Sequence, residues 1–365
     1  MELELDDDQR HLQTTVQGIL AKECSPAFVR SVIDDGADPA DWWHTMVGLY
    51  WPALAIAEDV GGLGMTWIEL AILIEELGRA VDPSPYLATT TQFVPAIRRC
   101  GDTEQAARWL GAVASGTVIG ALAIGAETVR ATAVDAGWSL AGDVLNVVDA
   151  DRADEIAVIA SAVDGVGVFI VNRVAAGPLF SIETIPAFDH TAHIANVTLA
   201  GVVVESSRRL AGTDIALGIA GAVEEATLGW ALTTVGACQR ILDLVVDYVK
   251  QRHQFGVPIG SFQAVKHKAV DMYVAIERAR AVAQFAALTI VENDPRQTVA
   301  VSMAKAAAGD CQRIVFRNGF QLFGGMGFTW ENDLQIALRR AKLGAAMFGS
   351  TSEHCRRVAQ QALVS

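Results

Sequence analysis

The sequence has 365 residues, 52% of them hydrophobic and 19% charged, with a formal net charge of -14. That length allows two or three domains around a large core. The acid excess excludes nucleic acid and an acidic membrane surface as partners, since phosphate binding requires clustered Lys and Arg, and leaves a soluble enzyme or subunit.

The N-terminus MELELDDDQR opens with acids rather than a basic segment before an apolar run, so no secretory signal and a cytoplasmic location are expected. Residues 1–115 read as a helical domain. QRHLQTTVQGILAKE and WIELAILIEELGRA carry apolar residues at three-four spacing, and the loop AEDVGGLGMTW lies between two such helices. From 116 to 212 the runs VIGALAI, WSLAGDVLNVV, EIAVIASAV, GVGVFIV and HIANVTLAGVVV predict an antiparallel β domain. Residues 213–365 return to long helices, roughly 214–250, 262–292, 296–320 and 350–363. Thr213 or Asp214 is the candidate cap for the first, Ser261 for the second, and NDPRQ breaks the chain before the third. Short connections favour an antiparallel four-helix bundle, so the fold class is α+β in the order helical, β, helical. Runs such as IGALAIGA fall short of the ~20 apolar residues of a membrane span, and no membrane helix is expected. Cys24, Cys100, Cys238, Cys311 and Cys355 lack CxxC spacing, which favours reduced thiols over disulfides or a metal site.

GGLGM (61–65) and GGMGF (324–328) do not follow strands of a βαβ unit, so they turn the chain rather than bind a dinucleotide in a Rossmann manner. More informative are RHQFGVPIGSFQAVKHK (252–268) and QLFGGMGFTWENDLQIALRRAK (321–342), which place an Arg, an aromatic, Gln side chains and a Gly pair at helix ends. Arg offers bidentate bonds to a pyrophosphate, and Gly lets backbone N–H groups approach anionic oxygen.

At these residues the sequence resembles the acyl-CoA dehydrogenase family over nearly its whole length. The resemblance implies a flavoprotein that desaturates an acyl-CoA thioester: a Glu removes the α-proton, the β-hydrogen leaves as hydride to the flavin, and an acceptor such as electron-transfer flavoprotein takes the electrons. It implies FAD contacts at Arg252, Gln254, Phe255, Ile259, Gln263, Gln321, Gly324, Gly325 and Thr351, several of them reaching the ADP part of the flavin held by a neighbouring subunit.

The pattern breaks in two places. In AAMFGSTSEHCRR (345–357), Gly349 stands where the family places its base; the alternative base position, 26 residues before Arg252, is Ala226. Glu225 is one residue away, about 100° round a helix, and is the candidate for a displaced base; Glu353 replaces a family Gln and reads as a capping or solvated acid. The β segments that cover the flavin ring in the family correspond to AIGAETVRA (123–131) and Asn146-Val147-Val148-Asp149, without the family's Trp and Thr. Arg340 stands where an Asp is more usual. Together these imply the base-lacking subunit of a heterotetramer of the steroid-CoA type, whose partner is another acyl-CoA dehydrogenase-family subunit. The alternatives are a self-sufficient flavoenzyme with a displaced base, or a non-catalytic assembly protein.

Overall fold

Side-chain caps begin most of the N-terminal helices. The structure is a computed structural model that describes residues 4–363. Asp6 and Gln9 form a capping box on α1 (Asp7–Glu23), Ser25 caps α2 (Pro26–Asp34), and Thr66 with Glu69 caps α4 (Trp67–Ala80); α3 (Ala40–Gly48) lies between them. The middle of α4, Leu70 to Gly78, is buried on every side, because α1, α8 and α9 all pack on it. A short helix α5 (Tyr86–Ala88), one π turn (Thr89–Phe93) and α6 (Val94–Cys100) follow. Asp102 and Gln105 then box the start of α7 (Thr103–Ala114).

Seven strands form the middle sheet: β1 (Gly120–Ile124), β2 (Val129–Val134), β3 (Gly137–Val148), β4 (Glu155–Ala162), β5 (Gly165–Asn172), β6 (Phe180–Ile185) and β7 (Ile194–Val204). Their order is β1-β4-β2-β3-β7-β6, with β5 also on β4. The expectation of an antiparallel domain is corrected to a mixed sheet, because β1 runs parallel to β4, from Gly120 opposite Glu155 to Ile124 opposite Ile159. The β2–β3 hairpin intervenes and returns the chain in its original direction, a long-range outcome that strand-by-strand periodicity does not encode. Strand β4 is apolar without alternation because both faces are covered. Ile156 and Val158 join the sheet core with Phe169 and Val197, whereas Ala157 and Ile159 pack with Phe93, Ile97 and Trp109 of the helical part.

Among the described residues five helices, not the expected four, build the C-terminal part: α8 (Ile215–Gln251), α9 (Gln263–Val291), α10 (Gln297–Phe323), α11 (Leu334–Ala346) and α12 (Thr351–Ala362). Helix α11 packs along α8, and α12 packs on α10. Asp214 caps α8, accepting from the Leu217 amide at 3.0 Å. Ser261 does not cap α9 as expected; its hydroxyl donates back to the Pro258 carbonyl at 2.7 Å. By length and composition α8 is long and apolar enough to cross a membrane, but 61% of its most apolar window is buried inside this fold. Its close crossing with α4 needs small residues on both helices. A Cβ at Gly236 would lie 1.9 Å from the Glu75 carbonyl oxygen, and one at Gly78 2.5 Å from that of Thr233.

Lys305 of α10 is buried and donates to the Gly344 and Ala345 carbonyls at 2.8 and 3.0 Å, capping the last turn of α11. Burial pushes its ammonium down to about 8. Between pH 8 and about 10.5 the unfolded chain therefore holds the proton that the folded chain has released, so this group's contribution to stability rises with pH. Against Lys305→Met, the wild-type protein is expected to gain on the order of 3 kcal/mol across that window. Paired denaturant titrations at pH 7.5 and 10.5 read this directly, and a constant difference would reject it.

Candidate functional site

Of the nine residues singled out for flavin contact, eight lie at the open end of the helical bundle, in 252–263 and 321–325, and Thr351 lies apart from them at the start of α12. Arg252 follows α8 directly and enters a hairpin of β8 (His253–Gln254) and β9 (Val257–Pro258). The two turn residues, Phe255 and Gly256, both have positive φ, 53° and 80°, as a tight two-residue hairpin of primed type demands. A bulky residue in that region is strained, and Phe255 stays there with its ring 90% exposed. Ile259 begins a 3-10 turn and is half-buried, and Gln263 opens α9 at the surface. Gln321 is exposed near the end of α10, which terminates in Gly324 at φ 59°. The ring of Tyr248 stacks on that of Phe323 at 4.4 Å, which brings the end of α8 beside the end of α10. Arg252, Gln254 and Gln321 are exposed near these adjoining helix ends, where Cβ atoms at Gly324 and Gly325 would meet nothing within 4 Å. Among the described residues the Arg252 side chain has no ion-pair or hydrogen-bond partner.

The other end of the set is closed. Thr351 is the first residue of α12, and a Cβ at Gly309 would lie 2.0 Å from its Oγ1, so its hydroxyl packs against α10. Ser350 caps α12, and Glu353 completes the box by accepting from the Ser350 amide at 2.6 Å and its hydroxyl at 2.8 Å. Those bonds hold the Glu353 carboxyl below its ordinary range, as a capping acid. Gly349 has φ 104°, and a Cβ there would lie 2.9 Å from His354 Nε2. That nitrogen donates to the Phe348 carbonyl at 2.9 Å, leaving the buried Nδ1 without a partner, and burial lowers the imidazole's pKa. Gly349→Glu is therefore expected to lose about 1–3 kcal/mol of stability and gain no turnover. Thermal unfolding and an acceptor-reduction assay check both halves, and a rate gain of the 10²–10⁴ order typical of a general base would overturn the second.

Segment 146–149 meets 347–348 across the gap between sheet and bundle. Ala88, Val148 and Trp230 form a buried apolar cluster there, with Leu87, Leu343, Met347 and Phe348 packed on it. A pocket of about 170 Å³ remains, bounded by Ile124, Val147, Val148, Met347, Phe348 and Gln92, below the ~300 Å³ at which ligand pockets usually begin. Trp230 was not anticipated from the sequence, although it lies four residues after Ala226 and so on the same face of α8.

Glu225 is fully buried, and its carboxylate is taken up by donors: Trp67 Nε1 at 2.7 Å, Arg98 Nη2 at 2.5 and 2.6 Å, and Arg99 Nε at 2.5 Å. A base needs a free lone pair at the substrate, and this carboxylate presents none to the cleft. Arg340 is likewise buried. It binds Asp189 of the sheet region at 2.5 Å and the Asp82 carbonyl at 2.9 Å, and also bonds Thr191.

Family models for the acyl-CoA dehydrogenase N-terminal and C-terminal domains match residues 6–117 and 219–363. The chain is 31% identical over 354 residues to acyl-CoA dehydrogenase IpdE2 of Mycobacterium tuberculosis, covering 96% of each. To the mitochondrial short-chain specific acyl-CoA dehydrogenase of Homo sapiens it is 26% identical, covering 96% of this chain and 89% of the other. Among solved structures it matches a chain of the ChsE4-ChsE5 complex from Mycobacterium tuberculosis with a TM-score of 0.91, at 24% identity and over the whole of both chains. A glutaryl-coenzyme A dehydrogenase glutaryl-CoA complex gives a TM-score of 0.92 at 23% identity, covering 100% of this chain and 97% of the other. At such identities the structural likeness establishes the fold.

Proposed function

This chain belongs to the acyl-CoA dehydrogenase family, and on that premise we propose that it is the base-lacking subunit of a heteromeric acyl-CoA dehydrogenase, completing a partner's FAD site. The observation that carries the proposal is the split between its two faces. Arg252, Gln254, Gln321, Gly324 and Gly325 lie open to an incoming ligand, whereas the ground beside Gly349 is filled by Trp230, Val148, Met347 and Phe348. The open end of the bundle suits a pyrophosphate: it carries an exposed Arg with no partner among the described residues and a glycine pair at which a Cβ would meet nothing within 4 Å. The filled cleft does not fit an isoalloxazine ring of its own.

An apolar stripe next to the open face supports a partner subunit. On α9, Val270, Tyr273 and Val274 are exposed at three-four spacing, and Phe255, Phe262, Met326 and Phe328 are exposed nearby. Another acyl-CoA dehydrogenase-family subunit is the proposed occupant, in the α2β2 manner of the steroid-CoA branch, with an acyl-CoA substrate and an electron-transfer flavoprotein or similar acceptor. The proposed division of the chain is 1–115, 116–212 and 213–365. Bound FAD would supply the hydride acceptor. Arg252 would hold its phosphates, Gly324 and Gly325 would admit them, and the partner would remove the α-proton. Glu225, locked between two arginines, supports no self-sufficient reading.

Expressed alone, the chain is expected to purify nearly free of flavin and inactive, and co-expressed with its partner to give a yellow, active complex. Arg252→Ala is expected to lower flavin occupancy of that complex, because a charge-assisted contact of about 1.5–3 kcal/mol is lost. A yellow homo-oligomer that reduces an acceptor with acyl-CoA would overturn the proposal, and unchanged occupancy would reject the role of Arg252.

A further inference from the structure

Arg98 and Arg99 bring two guanidinium groups to a single carboxylate. Arg98 uses only Nη2 on Glu225 and Arg99 only Nε, so Nε and Nη1 of the first and both terminal nitrogens of the second have no partner among the described residues. The two side chains are only 36% and 24% exposed, so their surplus positive charge is partly desolvated. They line an open cleft of about 340 Å³ whose floor is Ala55, Met65, Ile290 and Val291. No Asp or Glu lines it. Asn293 closes one rim, with an exposed side-chain amide that makes no hydrogen bond among the described residues and a backbone held at φ 49°. The cleft sits at the C-terminal end of α9, whereas Gln263 lies at its start; 29 residues of helix separate the two by about 43 Å.

We propose that this cleft binds a small organic acid, its carboxylate held by Arg98 and Arg99 and its apolar body resting on Met65, Ile290 and Val291. Arg99 keeps its terminal Nη1/Nη2 fork for a carboxylate, and Arg98, whose Nη2 is taken by Glu225, adds a single N–H; low-dielectric walls strengthen their field. On a chain of net charge -14, a positive cleft with an apolar floor selects anions that carry an apolar part, because general attraction of anions is absent. Glu225 cannot neutralise both cations, so an incoming carboxylate balances the surplus. The site is independent of flavin and of the partner's chemistry.

The test is calorimetric titration of the full chain with hexanoate, hexanol and inorganic phosphate, with a parallel NMR titration that reads the Met65 methyl resonance. Saturable hexanoate binding is expected, with no binding of hexanol. Arg98→Gln is expected to weaken hexanoate about tenfold or more, the loss of one charge-assisted contact. Asn293→Asp changes only an exposed rim residue and keeps the Glu225 cluster intact. It is expected to weaken binding severalfold at low salt and less at high salt. Absence of saturable hexanoate binding, hexanol binding as tight as hexanoate, or unaltered affinity in Asn293→Asp at low salt would overturn the proposal. Phosphate binding as tightly as hexanoate would overturn the assignment to an organic acid.

Discussion

Replacing Arg340 with Met is expected to cost about 3–5 kcal/mol, a large share of the stability of a chain this size. Its guanidinium joins three parts of the sequence: the Asp82 carbonyl after α4, Asp189 and Thr191 before β7, and α11 itself. Removing the cation leaves a buried Asp189 carboxylate, which then keeps only the Thr191 amide and hydroxyl as donors. An unpaired buried charge loses far more than the pair ever contributed, because its desolvation is no longer offset. Guanidinium titrations of wild-type and variant measure the difference. A loss below about 1 kcal/mol would mean that water or a neighbouring side chain replaces the guanidinium. Arg340→Lys is expected to recover only part of the loss, since one ammonium cannot reproduce the fork that reaches all three acceptors.

Glu225→Gln is expected to destabilise by a similar amount while leaving catalysis by the assembled complex within a few-fold of wild type. The amide would face two guanidiniums that both need an anion, and one of its two polar atoms would become a donor pointed at donors. A displaced general base would behave differently: its loss would reduce turnover by roughly 10²–10⁴ with no matching change in melting. Measuring turnover well below the melting transition separates the two roles. A collapse of turnover in a variant that remains folded would restore Glu225 as a base.

Two of these residues show how far pattern reading reaches. The helical count that placed Ala226 in register with Arg252 put Glu225 about 100° away, facing elsewhere, which agrees with its burial under α6. It gave no hint of Arg98 and Arg99, because the bonds join residues 126 and 127 apart. Helix α11 lies outside the four helices expected from the sequence. Yet Leu334, Ile336, Ala337, Leu338 and Ala341 are what pack it into the bundle.

What the sequence determined by itself is local. Capping residues started α1, α4, α7 and α8, three-four and alternating patterns separated helical from β segments, and the residue at 349 was legible as Gly without any fold. Family membership followed as well, since the motifs that carry it are short and contiguous. The tertiary structure decided everything that joins distant residues: the parallel pairing of β1 with β4, the lock on Glu225, the junction at Arg340 and the filling of the cleft by Trp230, Val148 and Phe348. The reason is physical. Backbone propensity and capping act over one or two turns of chain, whereas burial and charge pairing depend on which surfaces meet, and that is settled only when the whole core closes.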